Sequence, residues 1–259
     1  AEVYTPAGSS QLVVKTGTEE AMRIDSSGRL GLGVTPEAWH SVFKVLRVGT
    51  GSSIAGESGG TSTWFNTNAY YDGSWKRINQ NTSAQIAHTS DGKQEFKVSA
   101  SGSANSAISW TTAMTIDNSG NLLVGTTSTN PQSSSSVEGV QIAPNHIGIG
   151  RDANTALYLN RQSSDGIIAD FRKDGASVGS IGSIVGAYLT IGTNDTGLFF
   201  NDDNNAIRPC NVSTASSSDN SIDLGVSNSR FKDLHLSGTV NASTIDLGDW
   251  TITESNGSI

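Results

Sequence analysis

The chain has 259 residues, 35% of them hydrophobic and 15% charged, with a formal net charge of −8 and a single cysteine. The acidic balance excludes bulk electrostatic binding to nucleic acid or anionic lipid, and one cysteine excludes an intrachain disulfide framework. The 35% leaves out 29 glycines, which bring the share close to the roughly 45–50% usual for globular chains with Gly counted; charge is low, so the composition points to many short strands with thin cores rather than to disorder.

No apolar run approaches a membrane span, and the opening Ala1–Pro6 does not read as a secretory signal. The expectation is a soluble protein made in a reducing cytosol, with Cys210 as a small buried hydrophobe. No helical apolar period persists beyond about two turns, so the expected class is all-β, elongated and multi-domain.

In chain order, residues 1–35 hold a strand at Gln11–Lys15 and a hairpin, Ala21–Gly33. In the hairpin Met22 and Ile24 alternate, Asp25-Ser26-Ser27-Gly28 forms a turn, and Leu30, Leu32 and Val34 alternate again. The layout recurs at Ala113–Gly125, with Met114, Ile116, Asp117, Gly120, Leu122 and Val124 at the matching places. Each copy has one apolar face, and a lone hairpin is marginal in water. A β-module over residues 36–127 is expected to hold a short helix and the second copy. Thr35-Pro36-Glu37 carries helix-start signals, which predict a short helix over Pro36–Phe43. Lys44–Val48 reads as strand and Gly49–Thr63 as a loop. The aromatic stretch Trp64–Ile78 turns at Tyr71–Ser74, and strands follow near Ala84–His88, Glu95–Val98 and Ile108–Thr111.

Residues 128–137 have the Ser-rich composition of a linker. A glycine-rich β-domain is expected over 138–209, with strands at Ile147/Ile149, Leu157/Leu159, Ile167/Ile168, Val178/Ile181, Leu189/Ile191 and Leu198/Phe200. Residues 210–259 read as a thin β-shaft carried by Ile222/Leu224, Leu234/Leu236, Ile245/Leu247 and Trp250/Ile252.

Candidate chemistry is sparse. His40, His88, His146 and His235 stand at no metal-ligand spacing, so no metal and no cofactor is expected. A glycan-cleaving site needs two carboxylates at a set separation. Asp165, Asp170, Asp174, Asp202 and Asp203 are the candidates, yet Asp165-Gly166, Asp174-Gly175 and Asn201–Asn205 are good turn sequences, so an enzyme is disfavoured. The surface-glycan candidates are Trp64, Tyr70, Tyr71, Trp75 and Arg77, with Asn201, Asp202 and Asp203 at a polar tip. The aromatic group reads first as the core of a small domain that otherwise lacks large side chains. Loops at Gly51–Thr61, Asn201–Arg208 and Ser213–Asp219 are alternative contact points.

Three stretches resemble phage tail fibres: D-N-S-I-D-L-G-V-S-N-S-R-F-K-D-L-H-L-S-G-T-V (Asp219–Val240), G-L-G-V-T-P-E-A-W (Gly31–Trp39) with N-A-Y-Y-D-G-S-W-K-R-I (Asn68–Ile78), and the glycine-punctuated run Ala156–Gly182. The first is similar to the segment upstream of a self-cleaving C-terminal intramolecular chaperone. The resemblance implies an intertwined homotrimer in the virion tail, joined to other tail or baseplate proteins and contacting a host surface glycan or outer-membrane protein. It implies neither nucleic-acid binding nor membrane insertion. A fibre spacer that binds elsewhere, or a polysaccharide-degrading tailspike, are the alternatives.

Overall fold

The computed structural model describes residues 1–240 and Ala242, and it is nearly all β. The chain divides into two compact units, Ala1–Tyr158 and Leu159–Ile259.

The first unit is built on a thirteen-strand sheet. Its strands are β1 (Glu2–Tyr4), β2 (Leu12–Thr16), β3 (Glu19–Ile24), β4 (Leu30–Leu32), β5 (Phe43–Val48), β6 (Ser52–Glu57) and β7 (Thr63–Thr67). A two-strand excursion, β8 (Tyr70–Tyr71) with β9 (Trp75–Lys76), forms a separate small sheet. The large sheet resumes with β10 (Asn81–His88), β11 (Gln94–Gly102), β12 (Thr111–Ile116), β13 (Leu122–Val124), β14 (Gly139–Ala143) and β15 (His146–Gly150). Every strand pairs with its neighbour in sequence apart from that excursion, and all pairs are antiparallel except β4 with β5.

The sequence repeat is a structural repeat down to its irregularities. In the first copy Asp25 accepts from the backbone N–H of Ser27 (2.9 Å) and Arg29 (3.0 Å); in the second, Asp117 accepts from Ser119 and Asn121 (both 2.9 Å). Gly28 and Gly120 take φ of 74° and 81°, the left-handed region the turn requires. The first strand of each hairpin carries a bulge at the same place, where it pairs with the strand before it. Val14 pairs Met22 while Lys15 pairs Glu20, and Phe96 pairs Met114 while Lys97 pairs Thr112. The unpaired residues Ala21 and Ala113 each give their carbonyl to a glycine N–H, of Gly33 and Gly125, at 3.0 Å.

The copies diverge after the second strand. From β13 the chain returns antiparallel to β14, whereas from β4 it crosses over residues 33–42 to a parallel β5. That crossover was expected to hold a helix over Pro36–Phe43, and it holds none. The local start signals are spent on tertiary contacts. Pro36 is buried against Gly31, Glu37 pairs with the fully buried guanidinium of Arg47, and the His40 N–H donates to the Tyr71 carbonyl at 2.7 Å.

Four further expectations are corrected. Gly49–Thr63 is not all loop, because β6 lies within it. Ile108–Trp110 precedes β12 rather than belonging to a strand. Residues 128–137, expected as a linker, contain a 3-10 turn at Pro131–Ser133 with Pro131 buried, and the Gly150 backbone packs against the Pro131 carbonyl. Leu157 and Leu159 lie in no strand and stay more than half exposed.

The second unit is a six-strand antiparallel meander: β16 (Gly166–Lys173), β17 (Ala176–Ile184), β18 (Tyr188–Thr193), β19 (Thr196–Asn201), β20 (Ala206–Asn211) and β21 (Ser216–Ser217). Ile184, Phe199, Cys210 and Val212 form its core, with Tyr188 against them. The expected strands at Ile222/Leu224 and Leu234/Leu236 are absent; residues 218–240 hold only an isolated bridge between Val226 and Ser229. Those at Ile245/Leu247 and Trp250/Ile252 lie outside the described residues.

Candidate interaction surface

The aromatic candidates are core. Trp39, Phe43, Val45, Ala55 and Tyr70 are buried together, with Trp64, Tyr71 and Trp75 packed on them. Phe43 stands edge-on to Trp64 (centroids 4.9 Å) and to Tyr71 (5.3 Å), and Tyr71 to Trp75 (5.4 Å). This edge-to-face geometry suits ring quadrupoles and leaves no open stacking platform for a sugar. The Tyr70 hydroxyl donates to Asn105 Oδ1 at 3.1 Å, and burial pushes its pKa up. Asn66 and Asn68, the flanking amides, are also buried. Asn66 links Ser53 to Gln85, and Asn68, at φ 54°, donates to the Asn79 and Thr82 carbonyls.

Arg77 is buried and is a structural clamp. Its guanidinium donates to the carbonyls of Asn81, Ala100 and Ala107 and to the hydroxyls of Ser99 and Ser106, at 2.6–3.2 Å. In the second unit Asn201 is buried and accepts from the Asn204 N–H at 2.8 Å, shaping the turn that carries Asp202 and Asp203 between β19 and β20. The Tyr188 hydroxyl donates to Asp203, and that bond to a carboxylate raises the phenol's pKa. Among the described residues, no group of three or more His, Cys, Asp or Glu is placed to hold a metal ion. No helix among them is long and apolar enough to cross a membrane.

The two faces of the first sheet divide side chains in an unexpected sense. The face covered by the aromatic cluster and by residues 68–80 and 100–110 also buries a polar row. Arg47, Ser53, Asn66 and Gln85 sit opposite one another on β5, β6, β7 and β10, with Asn66 donating to Ser53 (3.2 Å) and Gln85 to Asn66 (2.8 Å). Among the described residues the other face has no cover. Along it runs one apolar side chain per strand from β2 to β15, excluding the excursion: Leu12, Ile24, Leu30, Leu46, Ile54, Phe65, Ile86, Phe96, Met114, Val124, Val140 and Ile149. None of the twelve is buried, and Ile54, Phe65, Ile86 and Val124 are 37–44% exposed.

Residues two positions away widen the strip. Leu32, Val48 and Val98 flank it on one side, and Ile116, Leu122, Ile142 and Ile147 on the other. Val48, Ile54, Phe65, Ile86, Phe96 and Val98 line a shallow groove of about 470 Å³ on this face. Toward β5–β11 the flanking row turns polar, through Lys44, Thr63, His88 and Gln94, as an interface rim does.

Twelve strands at about 4.8 Å make a strip about 50 Å long, and three rows make it about 14 Å wide. Its area is then on the order of 700 Å², close to the ~800 Å² that each partner gives to a standard interface. The second unit repeats the pattern: Leu189, Phe200 and Ile207 lie in one cross-strand row and Ile191 and Leu198 in the next, all 41–64% exposed. Single exposed apolar residues are ordinary on protein surfaces, but a contiguous strip of this size marks an interaction surface. Period-two alternation in the sequence marks these residues one strand at a time; the register that joins them into a strip emerges only from the pairing.

No family model, curated protein or solved structure matches the chain.

Proposed function

We propose that this chain is a non-enzymatic structural segment of a phage tail fibre. It assembles as a homotrimer through its apolar sheet faces, extends from the virion and contacts the host surface by avidity. The observation that carries the reading is the inverted sheet: polar side chains lie under the chain's own cover while the apolar strip stands open. A strip about 50 Å long outruns most small partners, whereas another copy of the chain presents a strip of the same length and residues. Closed threefold packing lets each copy cover two others and leaves no strip wet. The phage assignment itself rests on the sequence resemblance in Asp219–Val240, Gly31–Trp39 with Asn68–Ile78, and Ala156–Gly182. Segment 219–240 fits the same picture: Leu224, Phe231 and Leu234 are 67–74% exposed in a single chain. Three weak contacts per fibre, one from each copy, then add through effective concentration without any new chemistry.

Multi-angle light scattering tests the assembly. The expected mass is three times the 26.9 kDa of one chain. Replacing Phe65 and Ile86 together by Glu puts charge into the strip and removes on the order of 10 kcal/mol of apolar burial per trimer, so the double variant loses the trimer. A soluble, heat-resistant wild-type monomer would sink the proposal.

A further inference from the structure

A cleft in the first unit lies beside the apolar strip and shares Lys44 with its polar rim. It lies between the Asp25–Arg29 turn and residues 39–44, has a volume of about 540 Å³, and is lined by Ser26, Ser27, Arg29, His40, Ser41 and Lys44 over a floor of Trp39 and Phe43. That volume is in the range of small-ligand sites, which place a few polar groups around an apolar floor.

The electrostatics of the cleft oppose those of the chain, whose net charge is −8. The carboxylate of the turn, Asp25, is neutralised by Arg29, whose Nε donates to Oδ2 at 2.6 Å. Arg29 is itself fixed, because Nη1 donates to the Trp39 carbonyl at 3.0 Å. Lys44 makes no ion pair among the described residues; its ammonium makes only a long bond, 3.3 Å, to the Ser27 carbonyl and keeps two donors for a ligand. His40 accepts from the Val42 N–H at Nδ1 (3.3 Å), which leaves Nε2 as the protonated, donating nitrogen.

The repeat supplies an internal comparison. The second hairpin keeps the turn but places Asn121 at the Arg29 position and returns antiparallel. The two features that wall the cleft, the Arg29 bridge to Trp39 and the 33–42 crossover, therefore belong to the first copy alone.

We propose that this cleft binds an anionic sugar. Lys44 and the His40 Nε2–H receive its carboxylate or phosphate, and Ser26, Ser27 and Ser41 bond its ring hydroxyls. The proposal rests on the host-contact reading only for the source of the sugar; the cleft is made by one chain.

Saturation-transfer NMR on the full chain tests it with methyl glucuronide, glucose 6-phosphate, methyl glucoside and inorganic phosphate. One or both anionic sugars are expected to bind at low millimolar concentration, with the neutral glucoside about tenfold weaker, and Lys44→Gln is expected to weaken the anionic sugars about tenfold. Whichever anionic sugar binds more tightly identifies the acid group preferred. Four outcomes overturn the proposal: no transfer from any sugar, equal transfer from the neutral one, indifference to Lys44→Gln, or phosphate alone competing as well as its sugar. Light scattering on the same samples separates the two readings. A trimer without sugar binding removes this proposal alone, and a sugar-binding monomer removes the assembly alone.

Discussion

Replacing Arg77 by Ala separates a clamp from a receptor contact. Its guanidinium makes five hydrogen bonds to acceptors between Asn81 and Ala107, and the backbone adds Arg77 N–H to the Ser106 carbonyl (3.0 Å) and Asn105 N–H to the Arg77 carbonyl (2.9 Å). The guanidinium lies flat against Gly102, where an added Cβ would stand 2.7 Å from Cζ. Truncation takes the guanidinium from the carbonyls of Asn81, Ala100 and Ala107 and from two hydroxyls, leaving the bonds from the Ser99 hydroxyl to Ala100 and from the Ser106 hydroxyl to Ser103. With hydrogen bonds to a charged group contributing about 1.5–3 kcal/mol each before the vacated space admits water, the variant is expected to lose about 3–5 kcal/mol. For a unit of this size that is about a 10 °C fall in Tm, followed by circular dichroism. Arg77→Lys keeps the charge but has three donors in place of five, so it should fall about half as far. A wild-type Tm for Arg77→Ala, with cell binding lost, would refute the clamp and restore Arg77 to the surface.

Four other outcomes follow from geometry. Asp25 and Asp117 are both held below the usual carboxylate range. For Asp25, burial pushes upward but is outweighed by the bonds from the Arg29 N–H, its guanidinium and the Ser27 N–H; for Asp117 the Asn121 amide leads. A lowered folded pKa gives stability that is present above the unfolded value, near 4, and lost as pH falls through the folded one. Asp25→Asn with Asp117→Asn should therefore flatten the fall of Tm between about pH 5 and pH 2, and a curve as steep as wild type would contradict this. Gly31→Ala would set its Cβ 2.1 Å from the Val34 carbonyl oxygen and 2.9 Å from Pro36 Cδ, for an expected loss of about 2–3 kcal/mol in urea denaturation. At the matching place of the second hairpin Leu123 is buried, and Leu123→Ala should cost about 2–5 kcal/mol through the opposite defect, a cavity. Cys210 is fully buried and burial pushes its thiol up, so it should ignore a thiol reagent at pH 8 until denaturant is added.

The sequence made the strands legible wherever apolar and polar residues alternate, as in Lys44–Val48, Leu189/Ile191 and both hairpins, because the signal is local. It was silent where small residues carry the strand: Ser52–Glu57 alternates Ser, Ala and Gly too weakly to stand apart from a loop. The helix expected at Pro36 failed for a different reason. Its Glu37 answers to Arg47, ten residues on, and no local pattern reports a partner at that distance. Arg77 reads as a surface polar group beside aromatic rings; its burial depends on residues 100–107 folding back over it. The Asp202–Asp203 tip was placed by its turn sequence, and that turn is where the structure has it.

The sheet's strict order has a bearing on how the molecule is made. A ribosome releasing this chain hands over each strand of the first sheet after the one it must join, so edges are capped soon after they emerge, and the 33–42, 68–80, 103–110 and 125–138 detours interrupt the zipper. The same wiring lets a gene lengthen the ribbon by splicing in a hairpin. Each addition advances the edge by two strand widths and continues the greasy stripe, with no distant pairing to renegotiate.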